Sequence, residues 1–152
     1  MTRESIADEQ FIVYPVTVNY GLSLAEMIEV GKYDWVNDSI TAKHFPFTGE
    51  GMAELEVQLV HFKRRIESDD AIKKMDGMGL RPLALSELLA FGAKFPEVQR
   101  EFPIIALGSV WRRRYGSRYV PVLWEYDRER DLDLGWFEGR WLGFYRFAAV
   151  RK

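Results

Sequence analysis

The sequence predicts an α+β domain: short helices first, then a Trp-rich and mainly antiparallel run of strands. Three observations carry this. Residues 53–62, AELEVQLVHF, begin with a regular alternation of polar and apolar side chains, the period of a half-buried strand. Two stretches before residue 103 carry helix signals: the Ser23–Glu26 capping box, and an apolar face of Leu85, Leu88, Leu89 and Phe91. From Pro103 the pattern becomes β-like and stays so. PIIALGSVW, YVPVLWEY, DLDLGWF and FYRFAAVR follow one another, with Gly116-Ser117, Asp127-Arg128 and Gly139 between them.

Residues 1–10, MTRESIADEQ, read as a polar tail without the apolar run of a signal peptide. No window reaches the roughly 18 apolar residues of a membrane span, so a cytoplasmic location is the default expectation. Phe11–Tyr20 predicts a strand in which Val16, Val18 and Tyr20 alternate with Thr17 and Asn19, and Pro15 marks an edge or a bulge. The capping box opens a helix over 24–30. Leu24, Met27 and Ile28 share its inner face, and Gly31 is the expected C′ residue. Residues 32–52 lack a sustained period and are expected as a loop packed by Trp35, Phe45 and Phe47. Leu55, Val57 and Leu59 are the inward side chains of the next strand. Ser68, Asp69 and Asp70 open a helix with Ile72 and Met75 inside, stopped by Gly77 and Gly79. Gly79–Pro82 is expected as a turn. The helix after it ends at Pro96, with one further helical turn before Phe102.

A chain of 152 residues fits one domain, here 11–152. Its formal net charge of −2 is unlike the strongly basic balance of a general nucleic-acid binder. It has no cysteine, so disulfides, thiolate metal sites and cysteine nucleophiles are excluded. His44 and His61 have no second His or Cys at ligand spacing, and no metal or cofactor is expected. His61 reads as a satisfied, partly buried residue. Gly108-Ser109 lacks the second glycine of a nucleophile elbow, and Gly49-Glu50-Gly51 precedes a strand rather than a helix. No catalytic residue is assigned.

The informative stretch is 111–146. Four of the five tryptophans (Trp111, Trp124, Trp136, Trp141) lie there among Arg, Asp, Glu, Gly and Tyr. Tyr, Trp and Arg give contact area and directed hydrogen bonds at low entropy cost. Leu107, Val110, Val120, Leu123, Leu132, Leu134, Phe147 and Val150 are expected to frame the segment. In 119–126 the alternation puts Val120, Val122, Trp124 and Tyr126 on one face; Tyr119, Pro121, Leu123 and Glu125 take the other. Leu132 and Leu134 read as core, which sends Asp131, Asp133 and Gly135 outward. The expected ligand-binding set is Tyr115, Tyr119, Trp124, Tyr126, Asp131, Asp133, Glu138, Arg140, Phe144 and Tyr145, and the expected partner is a protein. The competing reading is that the tryptophans simply fill the core. Two other functions stay open. Arg112–Arg114 with Tyr115 and Tyr119 are able to grip nucleic acid, against the simpler reading of a solvated turn. Asp131 and Asp133, two apart on a strand, suit a hard cation or an acid–base pair in a small enzyme.

Gly79-Leu80-Arg81-Pro82 with Glu87-Leu88-Leu89 resembles the turn and helix of bacterial C-type-lectin-like and formylglycine-generating domains. The closing Tyr145–Arg151 run resembles their last strand. The resemblance spans about residues 79–151 and implies a C-type-lectin-like fold whose last strand returns beside the first. The runs PIIALGSVW, VPVL and RFAAVRK are similar to short proteins of uncultured bacteria. Some lectin-like proteins of this kind are variable proteins of diversity-generating retroelements. That resemblance implies a fixed frame with altered residues on one binding face, here within 112–145. The chain departs from the family in two ways. Without cysteine the formylglycine-generating chemistry does not carry over. The calcium-binding triplets of sugar-binding lectins are absent from 111–152, although Trp35-Val36-Asn37-Asp38 resembles one at a different place.

Overall fold

The structure is a computed structural model that describes residues 12–152. The expected tail and Phe11 lie outside the described residues. Among the described residues, eleven strands and four helices follow in chain order. They are β1 (Val13–Asn19), α1 (Leu24–Gly31), β2 (Trp35–Val36), β3 (Met52–Val60), β4 (Ile66–Glu67), α2 (Ser68–Gly77), β5 (Leu80–Pro82) and α3 (Leu85–Lys94). After these come α4 (Val98–Glu101), β6 (Ile104–Ile105), β7 (Trp111–Arg112), β8 (Arg118–Tyr126), β9 (Glu129–Trp136), β10 (Arg140–Trp141) and β11 (Arg146–Arg151). The α+β class is therefore as expected.

Nine strands form one sheet in the order β1-β3-β11-β6-β8-β9-β2, with β5 beside β11 and β7 beside β8. All pairings are antiparallel except β11 with β6 and β2 with β9. The last strand pairs with β3, which pairs with β1. β4 and β10 make a separate small ladder, Ile66 opposite Trp141.

Alternation along β11 shows how the sheet is used. Ala148 and Val150 join a core with Val16, Val18, Val57, Leu59, Leu123 and Leu132, covered by α1 and α3. Phe147 and Ala149 join a second core with Val60, Ile105, Val120 and Val122, covered by α2, Phe137 and Trp141. Both faces of the central strands are thus occupied. The helices are divided between the two faces rather than gathered on one.

Local expectations hold in part. The capping box forms, with Glu26 N donating to Ser23 Oγ and Ser23 N to Glu26 Oε1. The left-handed residue after α1 is Lys32, at φ 51°, and not Gly31. Gly31 has another reason to be small: a Cβ there would lie 2.2 Å from the Tyr33 ring. Gly79–Pro82 is more than a turn, because Leu80–Pro82 pairs with the C-terminal strand. Within 32–52, Trp35 and Val36 form a short edge strand on β9. Phe45 is buried, but Trp35 and Phe47 are exposed. Val110, expected in the frame, is exposed.

Arg130 ties the layers together. It is only 6% exposed. Its guanidinium donates to Gly31 O, Lys32 O, Gly92 O and Pro96 O at 2.8, 3.3, 2.8 and 3.0 Å. Those carbonyls end α1 and α3, where helix dipoles concentrate negative charge. Tyr33 lies beneath the cation, 4.8 Å from ring centre to guanidinium, and donates to Leu89 O.

Candidate ligand-binding pocket

The β8–β9 hairpin sets the geometry. Its register places Trp124 opposite Asp131, Val122 opposite Asp133 and Val120 opposite Gly135. All six belong to the face of the second core. Beside them run β10, which supplies Trp141, and the turn from β10 to β11, which supplies Tyr145. Pro103, Val122, Trp124, Asp133, Leu134, Gly135, Trp141 and Tyr145 line an open cavity of about 130 Å³.

The walls are aromatic and held in place. Trp141 Nε1 donates to Ser68 Oγ, and Ser68 Oγ donates to Phe137 O, both at 2.8 Å. Gly135 leaves room for the indole; a Cβ there would stand 2.5 Å from Trp141 Cη2. Tyr145 lies 5.5 Å from the Trp141 ring, Phe144 4.9 Å from Tyr145, and Tyr126 5.7 Å from Trp124. Tyr126 and Phe144 are exposed, so the rings continue outward from the pocket onto the surface. Burial raises the Tyr145 phenol above its usual range.

The carboxylates are unequal. Asp133 borders the cavity, and its Oδ1 accepts from Asn37 Nδ2 at 3.0 Å and from Leu134 N at 2.8 Å. Asp131 was expected to face water, yet it is 4% exposed. The second core explains the difference: the face opposite Leu132 is itself covered. Burial raises the Asp131 carboxyl, and Glu129, Asp133 and Asp34 push it further the same way. Gln99 reaches across this cross-strand pair, its Nε2 donating to Trp124 O and Asp131 O. Gln99 Oε1, Trp124 Nε1 and Asp131 Oδ1 are buried with no hydrogen-bond partner in the structure.

Three of the ten expected site residues line this cavity, Trp124, Asp133 and Tyr145, and three more lie next to them: Tyr126 and Asp131 beside Trp124, and Phe144 beside Tyr145. The other four lie elsewhere. Tyr115 sits at the tip of the β7–β8 hairpin, 96% exposed, with a left-handed φ of 89°. Tyr119 is on the opposite face of β8, 5.8 Å from Trp111, whose ring stacks on His44. Glu138 bonds Arg118 at the far end of the hairpin; burial raises its carboxyl, but the Arg118 bonds and charge together outweigh this and lower it. Arg140 is exposed beside Glu67. The ten residues do not form one continuous face.

Sequence reasoning left Trp141, Gly135, Pro103 and Gln99 out of the site. Gly135 was the available signal, because a glycine inside a strand often marks a close approach by another group. Arg112–Arg114 are exposed near the tip, and Arg114 lies over the Tyr115 ring. His61 is half-buried and bonded to Gly143 O, as expected. Among the described residues no His, Cys, Asp and Glu side chains group as a metal site, and no helix is long and apolar enough to cross a membrane. No family model, curated protein or solved structure matches the chain.

Proposed function

We propose that this chain is a non-catalytic binding protein that holds a protein partner at the Trp124–Tyr145 pocket and its exposed aromatic border. The observation that supports the reading most is one preorganised cavity lined by three expected contact residues, Trp124, Asp133 and Tyr145, with three more beside it. Rigid rings with few torsions lose little entropy on contact. Tyr126 and Phe144 offer apolar area beside it, and an exposed patch of this kind suits a partner surface. The two aspartates serve recognition in this reading. One is engaged by Asn37 and a backbone amide, the other is buried, and no serine, threonine, lysine or histidine lines the pocket.

The C-type-lectin-like resemblance extends the reading to a frame with an altered surface. Exposed positions such as Tyr115, Tyr126, Arg140 and Phe144 would then vary, while Arg130, Leu123 and Leu132 would stay fixed. A neighbouring reverse-transcriptase gene, with a near-copy of the 3′ coding segment differing at adenines, is the expected companion. Its absence from the genomic surroundings would remove that extension alone.

The binding reading is tested with a displayed random-peptide library panned against the full chain. Enriched peptides should lose at least tenfold in affinity against the Tyr126→Ala, Phe144→Ala double variant. Both side chains are exposed, so the fold should survive. Failure to enrich any peptide, or unchanged affinity in the variant, sinks the reading.

A further inference from the structure

We propose that the pocket receives an alkylammonium group, carried by a lysine of the partner. This rests on the binding reading above and names the chemistry of its centre.

Size comes first. The cavity of about 130 Å³ is below the roughly 300–1,000 Å³ of pockets that enclose whole small molecules, so it suits one thin side chain or head group. Its walls come second. Trp124, Trp141 and Tyr145 line it, and aromatic faces attract a cation within about 6 Å of the ring centre. Charge comes third. Asp133 borders the cavity, and Asp131 projects from the same face two residues away, its Oδ1 unpartnered. The charges that act on Asp131 are Glu129, Asp133 and Asp34, all negative. None of the ion pairs among the described residues reaches Asp131 or Asp133. The nearby cation Arg130 is taken up by four carbonyls on the other face. Asp133, the carboxylate that lines the cavity, has no cationic partner among the described residues, and an ammonium guest would supply one. Finally, Ser68 and Gly135 fix the Trp141 ring before anything binds, which lowers the cost of association. A lysine fits this description better than an arginine, whose planar guanidinium is wider.

The test compares blocked amino acids on the full chain. Nα-acetyl-lysine methylamide is titrated against its neutral counterpart, Nα-acetyl-norleucine methylamide, and against Nα-acetyl-arginine methylamide and n-butylammonium. Binding is read by tryptophan fluorescence and by two-dimensional amide NMR. The lysine compound should bind saturably, at least about fivefold tighter than norleucine, with shifts centred on Val122, Gly135 and Trp141. Asp133→Asn should abolish that preference. Because Asp133 also holds Asn37, Tyr145→Leu serves as a second variant and should lose the preference without changing the thermal midpoint much. Equal binding of norleucine, tighter binding of arginine, or shifts away from the pocket would overturn the proposal. So would the absence of any shift at tens of millimolar. If n-butylammonium matches the lysine compound, the ammonium chemistry stands and the peptide-borne source falls. Peptides enriched at this face without any need for lysine would overturn the inference and leave the binding reading intact.

Discussion

Replacing Arg130 by Met should destabilise the protein by about 3–5 kcal/mol, the range for removing one side of a buried charged contact. The magnitude follows from the bonds. Four carbonyls accept from the guanidinium, three of them at 3.0 Å or less. A hydrogen bond to a charged group contributes roughly 1.5–3 kcal/mol, and an orphaned buried acceptor costs about 1–3 kcal/mol. Simple addition would exceed the range given, because methionine also relieves the desolvation of the cation and its chain still packs on Tyr33. In a chain of this size each kcal/mol moves the thermal midpoint by about 2–4 °C, so a fall on the order of 12 °C is expected. The assay is urea and thermal unfolding followed by far-UV circular dichroism. Arg114→Met, at an exposed hairpin position, is the control and should stay within about 0.5 kcal/mol of the parent. Arg130→Lys should lie between, since an ammonium keeps the charge but cannot span four acceptors. A loss below 1 kcal/mol in Arg130→Met would show that the helix ends do not depend on this side chain, and the account of the fold would fail with it.

Two other changes follow from particular contacts. Gly135→Ala puts a methyl 2.5 Å from Trp141, and should cost about 1–3 kcal/mol while shifting the tryptophan emission. Glu87 is buried, which raises its carboxyl, but bonds from Arg81, the Ala84 amide and Tyr20 outweigh this and hold it below the usual range. A depressed carboxyl contributes stability that is complete above its unfolded value near 4.5 and lost as pH falls through the folded value. Glu87→Gln should therefore cost about 2 kcal/mol at neutral pH, and the gap from the parent in urea midpoint should shrink on acidification. A gap independent of pH would refute the assignment. The same network, with burial foremost, pushes the Tyr20 phenol up to about 12, and burial also raises Tyr14, Tyr33 and Tyr145, so alkaline difference spectra should show several tyrosines ionising late, Tyr20 among them.

Period-based features were readable in the sequence because their causes are local. The strict alternation in β3, the capping box of α1 and the Leu-rich face of α3 each involve side chains a few residues apart. The two-sided burial of the sheet was not readable. Leu132 announces one core, but the second is built from Val60, Met75, Trp141 and Phe147, which are distant in the chain. That is why Asp131 read as exposed. Arg130 was silent for the same reason: its partners lie 34 to 99 positions away. Six residues in or beside the candidate cavity were legible as aromatic or acidic members of one hairpin and one turn. Their separation from Tyr115, Tyr119, Glu138 and Arg140 came from hairpin length, which puts those four at other ends or faces.

The borders of the sheet have a bearing on how the molecule behaves in a crowded solution. Among the described residues one outer strand is β1, which contains Pro15, a residue that offers no amide hydrogen, and the Lys94 ammonium donates to the Pro15 carbonyl at 2.7 Å. The other, β2, is two residues long. An incoming strand finds little backbone to add to on either side. Self-association through edge pairing is thereby discouraged at both margins, and a sticky aromatic surface can be carried without inviting fibrils.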